Sequence, residues 1–312
     1  MTGPLPNPRS LINLCFVIFS AWSLHAQDKC LCVTVDDLPT VTYGVGGDDY
    51  KLQLTRQLVT TFNSRNVPAI GFVNEGKLHP KGKLDSSMVS ALELWLDRGL
   101  MLGNHTYAHT SYHRSSFEEF TKDMILGEEV TRQLMQARGQ TLRFFRHPYL
   151  HIGETKSKAD SLARFLSDKG YITSPVTLDA EDYEFAKRYA QALRKGDSVR
   201  ARSIGEAYVQ YTREMTLYYE KLSETLFGRQ ICQSLLIHAN QLNADYFGQL
   251  HELFDSMGYR FVSQEEVLRD EAYQSPVTKF GTYGISWLER WALSQGKARE
   301  LMSSSPKLPT FR

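Results

Sequence analysis

The chain has 312 residues, 42% of them hydrophobic, and a formal net charge of +1 at pH 7. That length and apolar share support a substantial core, in one large domain or two small ones. No block of five like charges occurs, so electrostatics point to neither nucleic acid nor an anionic surface as the main partner.

Arg9 precedes an apolar run over residues 11–24, and Leu24-His25-Ala26 is an acceptable small-residue cleavage site. The pattern reads as a secretory signal peptide over residues 1–26, cleaved near Ala26. The run is shorter than the roughly 20 residues a helical span needs, so the expected product is secreted or periplasmic and does not span the membrane. Cleavage would remove Cys15 and leave Cys30, Cys32 and Cys232, an odd number for an oxidising compartment. Two arrangements stay open. Cys232 bridges to Cys30 or Cys32, or all three are buried thiols acting as small hydrophobes.

From residue 30 the chain alternates strand and helix. Cys30 to Val35 are apolar or β-branched, and Pro39 ends the strand because it has no N–H. A glycine-bearing loop over 41–49 lacks a G-x-G-x-x-G fingerprint and reads as a flexible rim. Residues 52–63 have amphipathic helical spacing, 68–73 read as a buried strand, 88–98 as a helix stopped by Gly99, and 100–103 as a short strand. A long helix is expected over 117–137, opened by Ser115 or Ser116 with Glu118 and Glu119 placed for a capping box. Next come a strand over 142–146, a helix over 157–169 and an extended run over 171–178. The alternation then breaks. Residues 181–230 read as two helices inserted in the α/β pattern, the second with apolar residues from Ile204 to Leu226 at spacings of three and four. This stripe is expected to pack on the main body, with a wall or lid beside a cleft as the alternative. A strand over 234–238, a helix over 244–257 and a strand over 259–262 complete the pattern. Residues 269–312 read as a tail, with Trp287 and Trp291 on a short helix and the chain frayed from Ser303. Strand and helix in alternation indicate a parallel sheet.

Each polar cluster falls where a strand is expected to end: Asp36 with Asp37, His105 with His109, Arg146, Asp179 and His238. That is where α/β folds place their chemistry. His105 and His109, four apart, can converge on one ion, and a carboxylate from another strand end makes a two-His, one-Asp site with open positions. Such a donor set suits one divalent metal, Zn²⁺ or another borderline first-row ion. His113 continues the spacing and ranks below Asp37 as a third ligand. His147 and His151 read as solvated or supporting groups.

These clusters resemble the five motifs of the polysaccharide deacetylases, the NodB-homology domain of carbohydrate esterase family four, over roughly residues 29–268. Thr34-Val35-Asp36-Asp37-Leu38 resembles T-F-D-D-G, His105-Thr106-Tyr107-Ala108-His109 resembles H-[ST]-x-x-H, and Arg146-His147-Pro148-Tyr149 resembles R-x-P-Y. Asp179-Ala180-Glu181-Asp182-Tyr183 resembles D-x-x-D-W, and Leu236-Ile237-His238 resembles L-x-H. The resemblance implies an α/β fold, a deformed (β/α) barrel, and metal-dependent removal of acetyl groups from an N- or O-acetylated glycan, whether peptidoglycan, chitin-like or xylan-like. It also implies roles. Asp37, His105 and His109 would hold the metal, Zn²⁺ before Co²⁺ or Ni²⁺. Asp36 would be the general base, held ionised and oriented by Arg146 and titrating low beside a dication and that guanidinium. His238 would be the general acid, kept charged by Asp179. Leu236 and Tyr183 would line the acetyl-methyl pocket, and the Tyr149 backbone N–H would help stabilise the oxyanion.

Departures from the pattern bear on substrate choice. Leu38 replaces a glycine and is expected to put a bulkier wall beside the metal, Tyr183 stands for Trp, and Ala239 replaces a common Asp. The competing readings are a catalytically silent carbohydrate-binding module on the same fold and another metal hydrolase such as a phosphodiesterase. The latter would want a second metal or more cationic groups than Arg146 at the strand ends.

Overall fold

A computed structural model describes residues 1, 3, 29–47 and 49–311. The expected leader with its cleavage point at Ala26, and Cys15, fall outside the described residues except for positions 1 and 3. Among the described residues, eight parallel strands form one sheet. They are β1 (Lys29–Leu38), β2 (Ile70–Val73), β3 (Met101–Asn104), β4 (Phe144–Phe145), β5 (Ile172–Thr173), β6 (Leu178–Asp179), β7 (Gln233–His238) and β8 (Tyr259–Phe261). Their order is β5-β4-β3-β2-β1-β7-β6, with β8 paired to the start of β1. β1 is central and buried on both faces, which its run of apolar or β-branched residues from Cys30 to Val35 suits.

Chain length forces the sheet to curl. β5 and β6 lie at opposite ends of the strand order, yet only residues 174–177 join them. That link spans at most roughly 17 Å. A flat sheet would separate the two end strands by about 29 Å, six spacings of about 4.8 Å. The result is the expected deformed (β/α) barrel, open between β5 and β6, with the strand C-termini gathered at one rim. Helices α1 (Tyr50–Ser64), α2 (Ser86–Asp97), α5 (Lys156–Asp168) and α8 (Gln241–Ser256) connect the strands.

Four details differ from the sequence-based expectations or choose between them. The helix expected over 117–137 is two, α3 (Phe117–Leu126) and α4 (Glu129–Gln136), with Ser116 and Glu119 forming the capping box. Gly127 at the break lies so close to the Thr106–Tyr107 backbone that a Cβ there would overlap it. The inserted helices α6 (Asp182–Arg194) and α7 (Ser198–Phe227) pack on each other and on α8, and the stripe from Ile204 to Leu226 is buried. Cys30 is bonded to Cys232, their Cα atoms 4.6 Å apart, and Cys32 is a buried thiol with no disulfide among the described residues. Register decides this choice: Leu31 pairs with Gln233, so the preceding residues face each other, while Cys32 sits opposite Ser234. The segment after Arg269 is not a loose tail. α10 (Trp287–Ser294) is largely buried, α11 (Ala298–Met302) follows, and the stretch expected to fray is anchored by Phe311 against Phe185 at 5.5 Å between ring centres.

Candidate active site

The two carboxylates that end β1 point into one cleft, along with residues from the rims of β3, β4, β6 and β7. Asp37 adopts a left-handed backbone (φ +69°), which turns its side chain toward the loop after β3. That loop is not a helical turn. The Asn104 side chain accepts from Thr106 N–H at 2.7 Å and donates to the Met124 carbonyl at 3.0 Å. Asp123 accepts from Ala108 N–H at 3.0 Å, and Asn74 donates to the His105 carbonyl at 2.6 Å. Thr106 and His109 have positive φ, and the two imidazoles end 4.9 Å apart between ring centres.

Asp37 Oδ1 lies 3.7 Å from His105 Nε2 and 3.5 Å from His109 Nε2. Asp37, His105 and His109 each offer a donor atom, all within 4.8 Å of one another. His105 donates through Nδ1–H to the Arg146 carbonyl at 2.8 Å, leaving Nε2 with its lone pair directed at Asp37. Burial lowers both imidazoles to about 4, so each is neutral near pH 7. Burial alone would raise Asp37, but Lys77 and the neighbouring histidines outweigh it and hold the carboxyl well below the usual range. Asp37 Oδ1 is buried without a hydrogen-bond partner among the described residues. Two neutral imidazoles and an ionised, unsatisfied carboxylate fit a divalent ion.

His113 is not part of this group; it stacks on His151 at 3.9 Å between ring centres. His147, expected to be solvated or supporting, is buried beside Phe145 and Trp287. His151 lines the cleft and meets Ser111 Oγ at 2.9 Å.

Asp36 is 3% exposed, 3.6 Å from His105 Nε2 and 3.8 Å from Arg146 Nε. Apart from any bound ion its pKa is raised, whereas the low value expected belongs to the site with a dication beside Asp36 and Arg146. Complete burial pushes it up, and the opposing charges of Arg146 and His238 do not compensate. Arg146 is a near neighbour without a hydrogen bond to Asp36, because its Nη2 donates to Thr34 Oγ1 at 2.7 Å and Ser174 Oγ at 3.3 Å.

The partner of His238 is Asp182, not Asp179. His238 Nδ1 and Asp182 Oδ1 are 2.7 Å apart, and Asp182 Oδ2 accepts from His238 N–H, Asn240 and Asn243 at 3.0, 2.9 and 2.6 Å. Burial would lower His238, but the Asp182 charge and hydrogen bond raise it to about 10. Asp179 instead accepts the Glu181 N–H at 2.8 Å, and burial pushes it up to about 7. The two acids differ because Glu181 takes a left-handed backbone (φ +48°) that starts α6 and turns Asp182 onto β7. Asp182 was visible in the sequence as the second acid of D-x-x-D; the direction of that turn was not.

The cleft encloses about 460 Å³, and its walls include Tyr43, Tyr149, Tyr183, Lys187 and Leu236. Tyr183 and Lys187 come from α6, so the insertion both packs on the body and forms one wall of the cleft. Tyr149 sits on the turn Pro148–Leu150 with its ring 4.4 Å from that of His109. Leu38, expected to narrow this cleft, is fully buried and fills the space over Gly71 of β2, where a Cβ would collide with it. A larger cavity of about 570 Å³ lies apart from the Asp36, Asp37 and His238 cluster, between α5 and the C-terminal segment.

Residues 24–165 match the family model described as polysaccharide deacetylase. A search of curated proteins gives no match. Among solved structures, a polysaccharide deacetylase from Bacillus cereus is similar at 15% identity and TM-score 0.52, over 75% of this chain and 91% of that one. A peptidoglycan N-acetylglucosamine deacetylase bound to an N-oxidanyl-benzamide is similar at 16% identity and TM-score 0.52, over 76% and 87%. A mutant of a CE4 family pseudoenzyme, with enzymatic activity restored, is similar at 15% identity and TM-score 0.50, over 78% and 69%. The motif resemblance is thus matched by the family model over residues 24–165, and the fold is similar to that of solved polysaccharide deacetylases.

Proposed function

We propose that the protein is a divalent-metal-dependent deacetylase that hydrolyses acetyl groups on an N- or O-acetylated glycan. The observation that carries this reading is the convergence on one cleft of a two-His, one-Asp donor set, a buried carboxylate and a charged histidine. A pure binding module has no use for all three around one point.

Asp37, His105 and His109 would hold the ion, with Zn²⁺ preferred by the donor set and Co²⁺ or Ni²⁺ as alternatives. A bound ion there supplies Lewis acidity toward the acetyl carbonyl. Asp36 takes the proton of the hydrolytic water, its burial working against the lowering of its pKa by the positive charges around it. Arg146, 3.8 Å away, opposes the burial penalty of that carboxylate through its charge. From β7, paired with β1 in the sheet, His238 gives its Nε2 proton to the departing nitrogen or oxygen as the acyl bond breaks. Asp182 fixes the ring through Nδ1 and keeps it protonated. These are two groups with opposed proton-transfer roles in one cleft, as acid–base hydrolysis requires. Leu236 and Tyr183 shield the acetyl methyl, and the Tyr149 backbone N–H assists at the developing oxyanion.

The disulfide between Cys30 and Cys232 supports an oxidising compartment, secreted or periplasmic, after cleavage near Ala26. Acetate release from acetylated chito-oligomers, acetylxylan and peptidoglycan, with and without chelator, tests the reading. Chelator-sensitive release is expected. Glycan binding with no release from any of the three would favour the silent binding module.

A further inference from the structure

The turn Pro148–Leu150 holds two successive non-glycine residues in the left-handed region, Tyr149 at φ +58° and Leu150 at φ +54°. Side-chain-bearing residues adopt that conformation only where the surroundings impose it. The surroundings here come from the far end of the chain. Arg290, on α10 and fully buried, donates through Nη2 to the Leu150 carbonyl at 2.7 Å and to the Tyr283 carbonyl at 3.3 Å. Burial lowers Arg290 to about 10, which leaves it charged at neutral pH. Gly284 lines the cleft and presses on the same turn, where a Cβ would overlap the Tyr149 carbonyl oxygen. The segment is anchored a second time by Trp287 N–H, which donates at 2.6 Å to Val176 in the link between β5 and β6.

We propose that Gly284 and Arg290 are positioning residues of the active site: the C-terminal segment clamps the Tyr149–Leu150 turn so that residue 149 meets the cleft beside His109. This contribution lies beyond residue 165, where the family match ends. Its effect on turnover rests on the deacetylase reading, whereas its effect on the turn does not.

The test is Gly284→Ala in the full chain, with Arg290→Met and Arg290→Lys beside it, read by amide NMR shifts of residues 149–151, acetate-release kinetics, Zn²⁺ affinity and melting temperature. Gly284→Ala is expected to displace those amides and lower kcat by about a hundredfold, the low end for loss of an oxyanion donor. KM and Zn²⁺ affinity should stay near wild type, which a general loss of structure would not allow. Arg290→Met should act in the same way, with partial recovery in Arg290→Lys. If the Arg290 variants do not fold, Gly284→Ala decides alone. Unmoved amides overturn the clamp, whether or not kcat falls. If the wild-type protein releases no acetate, the deacetylase reading fails, and displacement of the amides in Gly284→Ala still decides for or against the clamp.

Discussion

Asp182→Asn separates the charge of the His238 partner from its shape. In the wild type His238 rises from an ordinary 6.5 to about 10, a difference on the order of 4–5 kcal/mol. That is close to the roughly 3–5 kcal/mol lost when one partner of a buried pair is removed. The amide of the variant can still accept from Nδ1–H. It cannot satisfy the three N–H donors now held by Asp182 Oδ2, and it brings no charge. Burial then acts on His238 unopposed, so its pKa should fall to 6.5 or below. Two assays follow. In kcat/KM for acetate release, the basic limb of the pH profile should move from about 10 to about 6.5 or lower, a loss of about a hundredfold at pH 8.5. NMR titration of His238 should report the same shift without needing activity. Because the folded pKa of His238 is raised, its stabilisation is complete below about pH 6.5 and lost as pH rises through about 10. Asp182 has a lowered pKa, so its share is present above about pH 3.8 and lost below it. The stability gap between wild type and variant should therefore be widest between about pH 4 and 6.5, closing toward pH 10. A basic limb that stays near 10 in Asp182→Asn, or that moves in Asp179→Asn instead, would refute the pairing.

Asp36→Asn should keep Zn²⁺ binding and lose most turnover, whereas His105→Ala should lose the ion itself, as equilibrium dialysis with kinetics would distinguish; a fully active Asp36→Asn enzyme would end the base assignment. The Cys30–Cys232 bond closes a separation of 202 residues, for which chain entropy gives up to about 5 kcal/mol. Reduction, or Cys30→Ser with Cys232→Ser, should lower the melting temperature, and three alkylatable cysteines in a non-reduced digest would remove the bond altogether. Leu38→Ala should cost about 2–5 kcal/mol of stability by opening a core cavity and leave substrate preference unchanged. A changed preference would return Leu38 to the cleft wall.

Local pattern carried much of this far. The alternation of apolar strands and amphipathic helices yields a parallel sheet, and clusters at strand ends were legible because strands of one sheet deliver their C-termini to one rim. The donor set Asp37, His105 and His109 was readable for the same reason, although the loop that brings the histidines together is built from Asn104, Asp123 and Asn74 rather than from helical spacing. Leu38 was misread because strand alternation does not hold at a residue that follows a left-handed Asp37; the direction of its side chain depends on the empty space above Gly71. That burial raises the Asp36 pKa in the absence of an ion was not legible, because a nearby cation is visible in sequence while burial is not.

What the sequence determined by itself is whatever depends on neighbours a few residues away: the strand and helix order, the inserted helix pair, the capping box at Ser116 and the polar groups at each strand end. Tertiary structure alone decided which of two candidates meets a distant partner. Asp182 rather than Asp179 faces His238, Cys30 rather than Cys32 meets Cys232, and a segment near the C-terminus reaches back to the Tyr149 turn. Each choice turns on register or on one backbone dihedral. A shift of one residue or one left-handed φ redirects a side chain by most of its length, and no local propensity records where the other side of the contact lies.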